Sequence, residues 1–325
     1  SLNWKDCYEK AAYYAGIIMG RNPDVSYGTY RLLSFDELWK KSGFDESEHM
    51  FSVRTRSADE EYGNGVHQWY CGMQDAGGVL QKGPWVGNRF HWYCLFDNED
   101  YRITKGVKHR FQYDSQVKNG RGYYYPGTPE YKLMATGKNM DDVKVQEPVA
   151  PFNDGLTYTN SISSNCLAFT TKYADVTDPT IGRTDAYWPF LRYADIVLIY
   201  AEAQCELNDG ISQDAIDALN DIRIRSNAKE ASVTGDGAIE TKVELRSVIF
   251  EERAKELAYE GDRRWDLLRW GIYLDVMNSL GGINEDGTRT PYDEGSINKR
   301  REFRHLLYPL PSLEVSTNMA IDKNN

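Results

Sequence analysis

The sequence predicts a mainly α protein in which helical hairpins pack beside a long, irregular, loop-rich region with a few short strands. Three observations carry that prediction. Apolar residues recur at helical spacing over 3–20 and again over 193–280. Between 44 and 185 the periodicity disappears, and Gly, Tyr, Trp, Asn and Asp dominate. Small residues at Ala194, Ala201, Ala203, Ala215 and Ala218 lie on two helical stretches joined at Gly210, which lets two backbones approach closely. At 325 residues the chain can bury a sizeable core.

Taken in order, residues 3–20 read as an amphipathic helix with Asn3 as N-cap and Gly20 as stop. "SFDELWKKSG" (34–43) reads as a short helix, with Ser34 capping and Glu37 completing a capping box. "HMFSVRTRS" and "HRFQYDSQV" alternate as short strands do. Helices follow over 193–210, over 213–227 behind Ser212, over 241–260 and over 262–280. The 193–209 and 213–227 pair has the small-residue pattern of a tetratricopeptide-like hairpin. The expected organisation is a helical segment (1–45, the end of a helical-repeat part), an irregular region (46–185), a helical scaffold (186–280) and a loop-like tail (281–325), together one compact domain. An irregular insertion as long as 46–185 carries function, because packing alone would not keep it.

Composition removes several classes. A net charge of −11 argues against nucleic acid, which needs a basic face. Cys7, Cys71, Cys94, Cys166 and Cys205 are odd in number and form no CxxC, so no zinc or redox motif follows. Cys7 and Cys205 read as core residues, and Cys71 and Cys94 as a pair that an oxidising compartment could join. The five histidines show no HxH or HExxH spacing, "DNED" (97–100) lacks the spacing of a calcium loop, and there is no GxSxG or phosphate-binding glycine loop. No cofactor and no metal are expected. Neither a membrane-length apolar run nor a signal peptide is present, but the chain opens on Ser1 inside a helical pattern and so reads as a mature or trimmed piece.

"FEERAKELAYEGDRRWDLLRWG" (250–271) poses the main question. On a helical wheel Glu252 and Glu256 fall on the stripe of Leu245, Val248, Ile249 and Tyr259, so both face the packed side. As catalysts, one would be held protonated by its neighbour and act as general acid. As scaffold, they need cations, and Arg192, Arg253, Arg263 and Arg264 are the candidates. So many cations make the carboxylates titrate low, the wrong direction for an acid catalyst. Gly261 and Asp262 would end one helix and cap the next. The scaffold reading prevails.

"FLRYADIVLIYAEAQCELNDG", "AIDALNDIRIRS", "EERAKELAYEGDRRWDLLRWG" and "YPLPSLEV", in this order, resemble the C-terminal half of the SusD/RagB proteins, strongly over 188–275 and weakly over 46–185. "WKDCYEKAAYYAGIIMG" and "YRLLSFDELWK" resemble the segment that precedes it. The resemblance implies a non-catalytic lipoprotein on the outer-membrane surface. It captures glycans, or in some members peptides, as the lid of a SusC-type TonB-dependent transporter, and meets the membrane only through a lipid anchor absent from this chain. It also implies that Arg192, Tyr193, Glu202, Glu252, Arg253, Glu256, Gly261, Arg264, Asp266, Leu267, Arg269 and Trp270 are scaffold. Family members have a longer N-terminal part and continue beyond the end of this tail, so the chain reads as part of a longer protein.

The ligand residues come from the side chains alone. Tyr 23, Phe 11 and Trp 8 make 13% of the chain, and Tyr is about twice its usual share. A sugar offers an apolar C–H face and a rim of hydroxyls, so its site needs exposed aromatic plates beside Asn, Asp or Arg. Two clusters qualify: Trp69, Tyr70, Trp85, Asn88, Arg89, Trp92, Tyr93 and Asp97, and then Arg121, Tyr123, Tyr124 and Tyr125. Against this, Trp85 or Trp92 would form a small core under the loops. The rival functions are a helical glycoside hydrolase, which needs Glu252 and Glu256 in an open cleft, and a structural adaptor, which needs Trp69, Trp85 and Trp92 all buried.

Overall fold

The structure is a computed structural model that describes residues 3–22, 25, 29–45, 47–57, 62–75, 78–87, 92, 95–97, 99–108, 110–111, 120–122, 158–159, 169–279, 301–308 and 317. It contains two compact units, 1–262 and 263–325. The division falls inside the stretch read from sequence as one helical scaffold.

In the first unit, α1 (Trp4–Ile18) starts at Asn3, whose side chain accepts the Lys5 amide, and is followed by Gly20 at φ 68°. α2 (Phe35–Leu38) is a single turn. Here the expected capping box does not form: Ser34 Oγ donates to Glu37 Oε2 at 2.7 Å instead of accepting a backbone amide. β1 (His49–Val53) comes next, followed by α3 (Val66–Cys71) and the bulged hairpin of β2 (Met73–Gln74) and β3 (Leu80–Lys82). α4 (Tyr101–Thr104) leads into β4 (Val107–Lys108). Three further short strands, β5 (Arg110–Phe111), β6 (Gly120–Gly122) and β7 (Tyr158–Thr159), make one small sheet. β8 (Phe169–Thr170) pairs antiparallel with β4, and β9 (Trp188–Arg192) with β1.

β9 runs directly into α5 (Tyr193–Leu207), which forms the predicted hairpin with α6 (Gln213–Arg225). Ala194, Ala201, Ala203, Ala215 and Ala218 are all fully buried. Their missing bulk lets the two helices close on a core that includes Leu198, Leu219, Ile222, Leu245 and Ile249. Ser212 caps α6 by accepting the Ala215 amide, and Thr241 opens α7 (Lys242–Glu256) with a capping box to Glu244.

The second unit holds α8 (Arg263–Arg269) and α9 (Tyr273–Ser279) where one helix over 262–280 was expected. Gly271 sits at φ 73°, a conformation that ends a helix at little cost only for glycine. Arg264 organises this unit: its guanidinium lies 4.9 Å from the Tyr273 ring and 4.7 Å from that of Tyr308, and donates to the Tyr273 hydroxyl and the His305 carbonyl.

One cysteine expectation changes. Cys7 is exposed, not core, because α1 turns it outward, and Cys71 is a buried free thiol donating to the Thr170 carbonyl at 3.2 Å. Cys205 is buried as expected. Cys94 and Cys166 lie outside the described residues.

Candidate functional site

Glu252 and Glu256 are buried and hydrogen-bonded to arginine. Glu252 accepts from Arg102 at 2.5 Å and Arg223 at 2.8 Å. Glu256 accepts from Arg225 at 2.5 Å, Arg192 at 3.1 Å and Arg102 at 3.5 Å. Around them Arg192 also holds Glu48 and Glu260, Lys172 holds Glu260, and Arg102 holds Asp100. Five carboxylates (Glu48, Asp100, Glu252, Glu256, Glu260) therefore meet five cations (Arg102, Lys172, Arg192, Arg223, Arg225). Burial works to raise the pKa of Glu252 and Glu256, but the surrounding guanidiniums outweigh it and hold both below the usual carboxylate range. Neither can serve as a proton-bearing acid near neutral pH.

Of the cations expected from sequence, Arg192 is in this network. Arg253 pairs with Asp195 at 2.8 Å, and Arg263 and Arg264 belong to the second unit. Glu202 accepts a hydrogen bond from the Tyr8 hydroxyl at 3.2 Å. Asp100, in the acidic "DNED" stretch, spends both oxygens on Arg102 and caps α4. Among the described residues no group of three or more His, Cys, Asp or Glu is arranged to hold a metal ion.

The aromatic candidates divide. Tyr70 packs against Tyr173, Trp188 and Tyr259. Trp92 lies edge-on to Phe96 and Tyr259 and donates its indole N–H to the Ala254 carbonyl at 2.7 Å. Both serve packing, and Trp92 is the ring that forms the small core under the loops. Trp69 and Trp85 instead face solvent, 46% and 71% exposed.

The backbone joins these two exposed rings. The amides of Trp85 and Val86 both donate to the Trp69 carbonyl at 2.9 Å, which sets the end of α3 beside the loop that leaves β3. A Cβ on Gly65 would lie 2.9 Å from the Trp69 ring, so only glycine permits that ring position. Gly72, at φ 75°, turns the chain from α3 into the hairpin. Lys82 Nζ stands 6.0 Å from the Trp85 ring centroid, and Val86 is also exposed. Two exposed tryptophans thus stand at one backbone junction, with a cation beside Trp85. Asp97 is exposed. Asn88, Arg89, Tyr93, Tyr123, Tyr124 and Tyr125 lie outside the described residues, and of Arg121 only the backbone, in β6, is described.

The family model described as the SusD family matches residues 73–325. The chain belongs to the SusD family. SusD-like protein P38 of Formosa agariphila is 36% identical to it over 135 residues, 40% of this chain and 24% of that protein. The match thus spans about a quarter of that relative. A SusD-like carbohydrate binding protein from Bacteroides fragilis superposes with TM-score 0.60 at 19% identity, covering 96% of this chain and 61% of that one. Surface glycan-binding protein A from Bacteroides thetaiotaomicron, in complex with laminarihexaose, superposes with TM-score 0.56 at 18% identity, covering 96% and 58%. These likenesses establish the helical, tetratricopeptide-like SusD fold.

Near the network, His49 is expected to make the scaffold acid-sensitive. Burial pulls its pKa down to about 4, while its hydrogen bond to the Leu38 carbonyl pulls the other way. Its Nε2–H donates to that carbonyl at 2.9 Å, Phe44 stacks on the ring at 4.1 Å, and Nδ1 is buried with no partner among the described residues. Folded His49 stays neutral while the unfolded chain takes up a proton below about pH 6.5, so stability is full above 6.5 and declines as pH falls towards 4. The expected slope is at most about 1.4 kcal/mol per pH unit. Urea midpoints measured from pH 8 to 4 should fall in that window, and His49→Asn should flatten the fall. A flat wild-type profile would refute it.

Proposed function

We propose that this protein is a non-catalytic glycan-binding member of the SusD family, held at the outer-membrane surface by a lipid anchor. In this reading it delivers oligo- or polysaccharides to a SusC-type TonB-dependent transporter. The observation that carries the proposal is the exposed Trp69–Trp85 surface, joined through one carbonyl. Two large, rigid, amphipathic plates suit the C–H faces of sugar rings. Asn88 and Arg89 follow Trp85 closely in sequence and are proposed to supply polar contacts, with Arg121 and tyrosines 123–125 as a second cluster. The laminarihexaose complex of the B. thetaiotaomicron surface glycan-binding protein supports the ligand class, and the charge-neutralised Glu252 and Glu256 support binding without hydrolysis.

The test is affinity electrophoresis of the purified protein through gels containing neutral polysaccharides, with oligopeptides as soluble competitors and reducing ends assayed in parallel. Retention by one glycan class without new reducing ends is expected. Trp85→Ala should weaken it about tenfold, the effect of losing a central aromatic contact, and Trp69→Ala similarly. New reducing ends, or retention indifferent to both tryptophans, would overturn the reading. Displacement by peptide alone would make the ligand a peptide.

A further inference from the structure

A concave surface lies in the first unit, lined by α2 and α4, the segment before α2, the start of α5 and the end of α6. It is an open groove of about 580 Å³, within the size range of small-ligand sites. Tyr30, Tyr101 and Tyr193 line it and give it aromatic walls with hydroxyl tips. It is separate from the Trp69–Trp85 surface, none of whose residues line it.

Its charges can be accounted for one by one. Asp221 is paired with Arg21 at 2.7 Å, and Arg225 is committed to Glu48 and Glu256 in the buried network. Lys105 reaches Asp36 at 2.7 Å, with its ammonium 4.0 Å from the Tyr101 ring centroid. That pair is solvent-exposed and worth little, so Lys105 can turn to a ligand at small cost. Arg31 remains: it is exposed on the groove and has no ion pair or hydrogen bond among the described residues. The groove therefore carries an unspent guanidinium within a chain of net charge −11. An arginine fork matches a carboxylate or sulfate with two parallel hydrogen bonds.

We propose that this groove binds acidic oligosaccharides, a sugar ring resting on the tyrosine walls with its carboxylate or sulfate on Arg31 and Lys105 beside it. Neutral sugars of the same length would meet the same rings but leave the guanidinium in water. Charge on the sugar, not ring shape alone, then decides occupancy.

Isothermal titration with three trisaccharides tests this: trigalacturonate for carboxylate, a sulfated galactotriose for sulfate, and maltotriose as the neutral probe. One or both acidic probes should bind, maltotriose at least tenfold more weakly, and affinity should fall as NaCl is raised from about 0.05 to 0.5 M. Whichever acidic probe binds names the anion. Arg31→Ala should weaken binding about tenfold or more, the loss expected for charge-assisted hydrogen bonds, and Arg31→Lys should fall between. Arg31 is exposed, so both variants should keep the wild-type melting curve. Equal affinity for maltotriose, no binding of either acidic probe, or an unchanged affinity in Arg31→Ala would overturn the proposal. The outcome is independent of the tryptophan surface: a protein that retains no neutral polysaccharide can still bind trigalacturonate here, and the converse also holds.

Discussion

Arg192→Met is expected to lower the unfolding free energy by about 3–5 kcal/mol, the cost of removing one partner from a buried ion pair. Arg192 is fully buried and uses every nitrogen: Nη1 on Glu48 at 2.6 Å, Nε on Glu260 at 2.7 Å, and Nη2 on both Glu256 and Glu260. The Trp39 ring covers it at 5.1 Å. Methionine fills much of the same volume but leaves three carboxylates short of positive charge in a site that water does not reach. Lysine keeps the charge but offers a single point in place of a planar fork, so Arg192→Lys should lose an intermediate amount. Since a domain's whole stability is about 5–15 kcal/mol, the methionine variant is expected near the edge of folding at 37 °C. Urea titration at pH 7 measures both. A loss below about 1 kcal/mol for Arg192→Met would mean that the network holds no part of the fold together.

That residue also shows how far the sequence could be read. Helical periodicity placed Glu252 and Glu256 on the packed face, because a 100° step needs only local information. It could not say what packs against that face. Arg102 lies 150 residues from Glu252 in the chain, and Arg225 lies 177 residues from Glu48. Cations close in sequence are therefore a poor guide: Arg253, one residue after Glu252, pairs with Asp195. Arg192, an expected partner that does reach Glu256, stands where β9 becomes α5, inside the family signature. The single helix read over 262–280 misses the break between α8 and α9, although "RWGIY" carries its signal, since Gly271 ends the helix by taking a positive φ.

The aromatic surface was legible only as composition. No periodic signal distinguishes Trp85 from Trp92, which are seven residues apart in a stretch without helical spacing. What separates them is three-dimensional: the Ala254 carbonyl offers Trp92 a buried partner for its indole N–H, while Trp85 is tied by its backbone to Trp69 and its ring stays in solvent. The tyrosine groove left no trace in sequence, because Tyr30, Tyr101 and Tyr193 come from three separate segments. Each alone resembles any other tyrosine in a tyrosine-rich chain.

Glu256→Gln is the substitution that separates scaffold from catalyst most sharply. It removes the charge shared by Arg102, Arg192 and Arg225 and turns an amide N–H₂ towards guanidinium donors, with almost no change in volume. An acid catalyst would lose turnover and keep its fold. Here the expected result is the reverse: no hydrolytic activity in either protein, and a stability loss of about 3–5 kcal/mol at pH 7. Linkage adds a signature that a mere packing defect lacks. Burial opposes ionisation of Glu256, but Arg225, Arg192, Arg102 and Lys172 hold its folded pKa well below the usual value. Its contribution is therefore complete above the unfolded pKa of about 4.3 and is lost as pH falls below it. The gap between wild type and Glu256→Gln, read from urea titrations at pH 7, 5 and 3, should stay constant between the first two and narrow at the third. A gap that does not change with pH would mean that shape, not charge, makes Glu256 matter, and turnover lost in a stable variant would return this stretch to the catalytic reading.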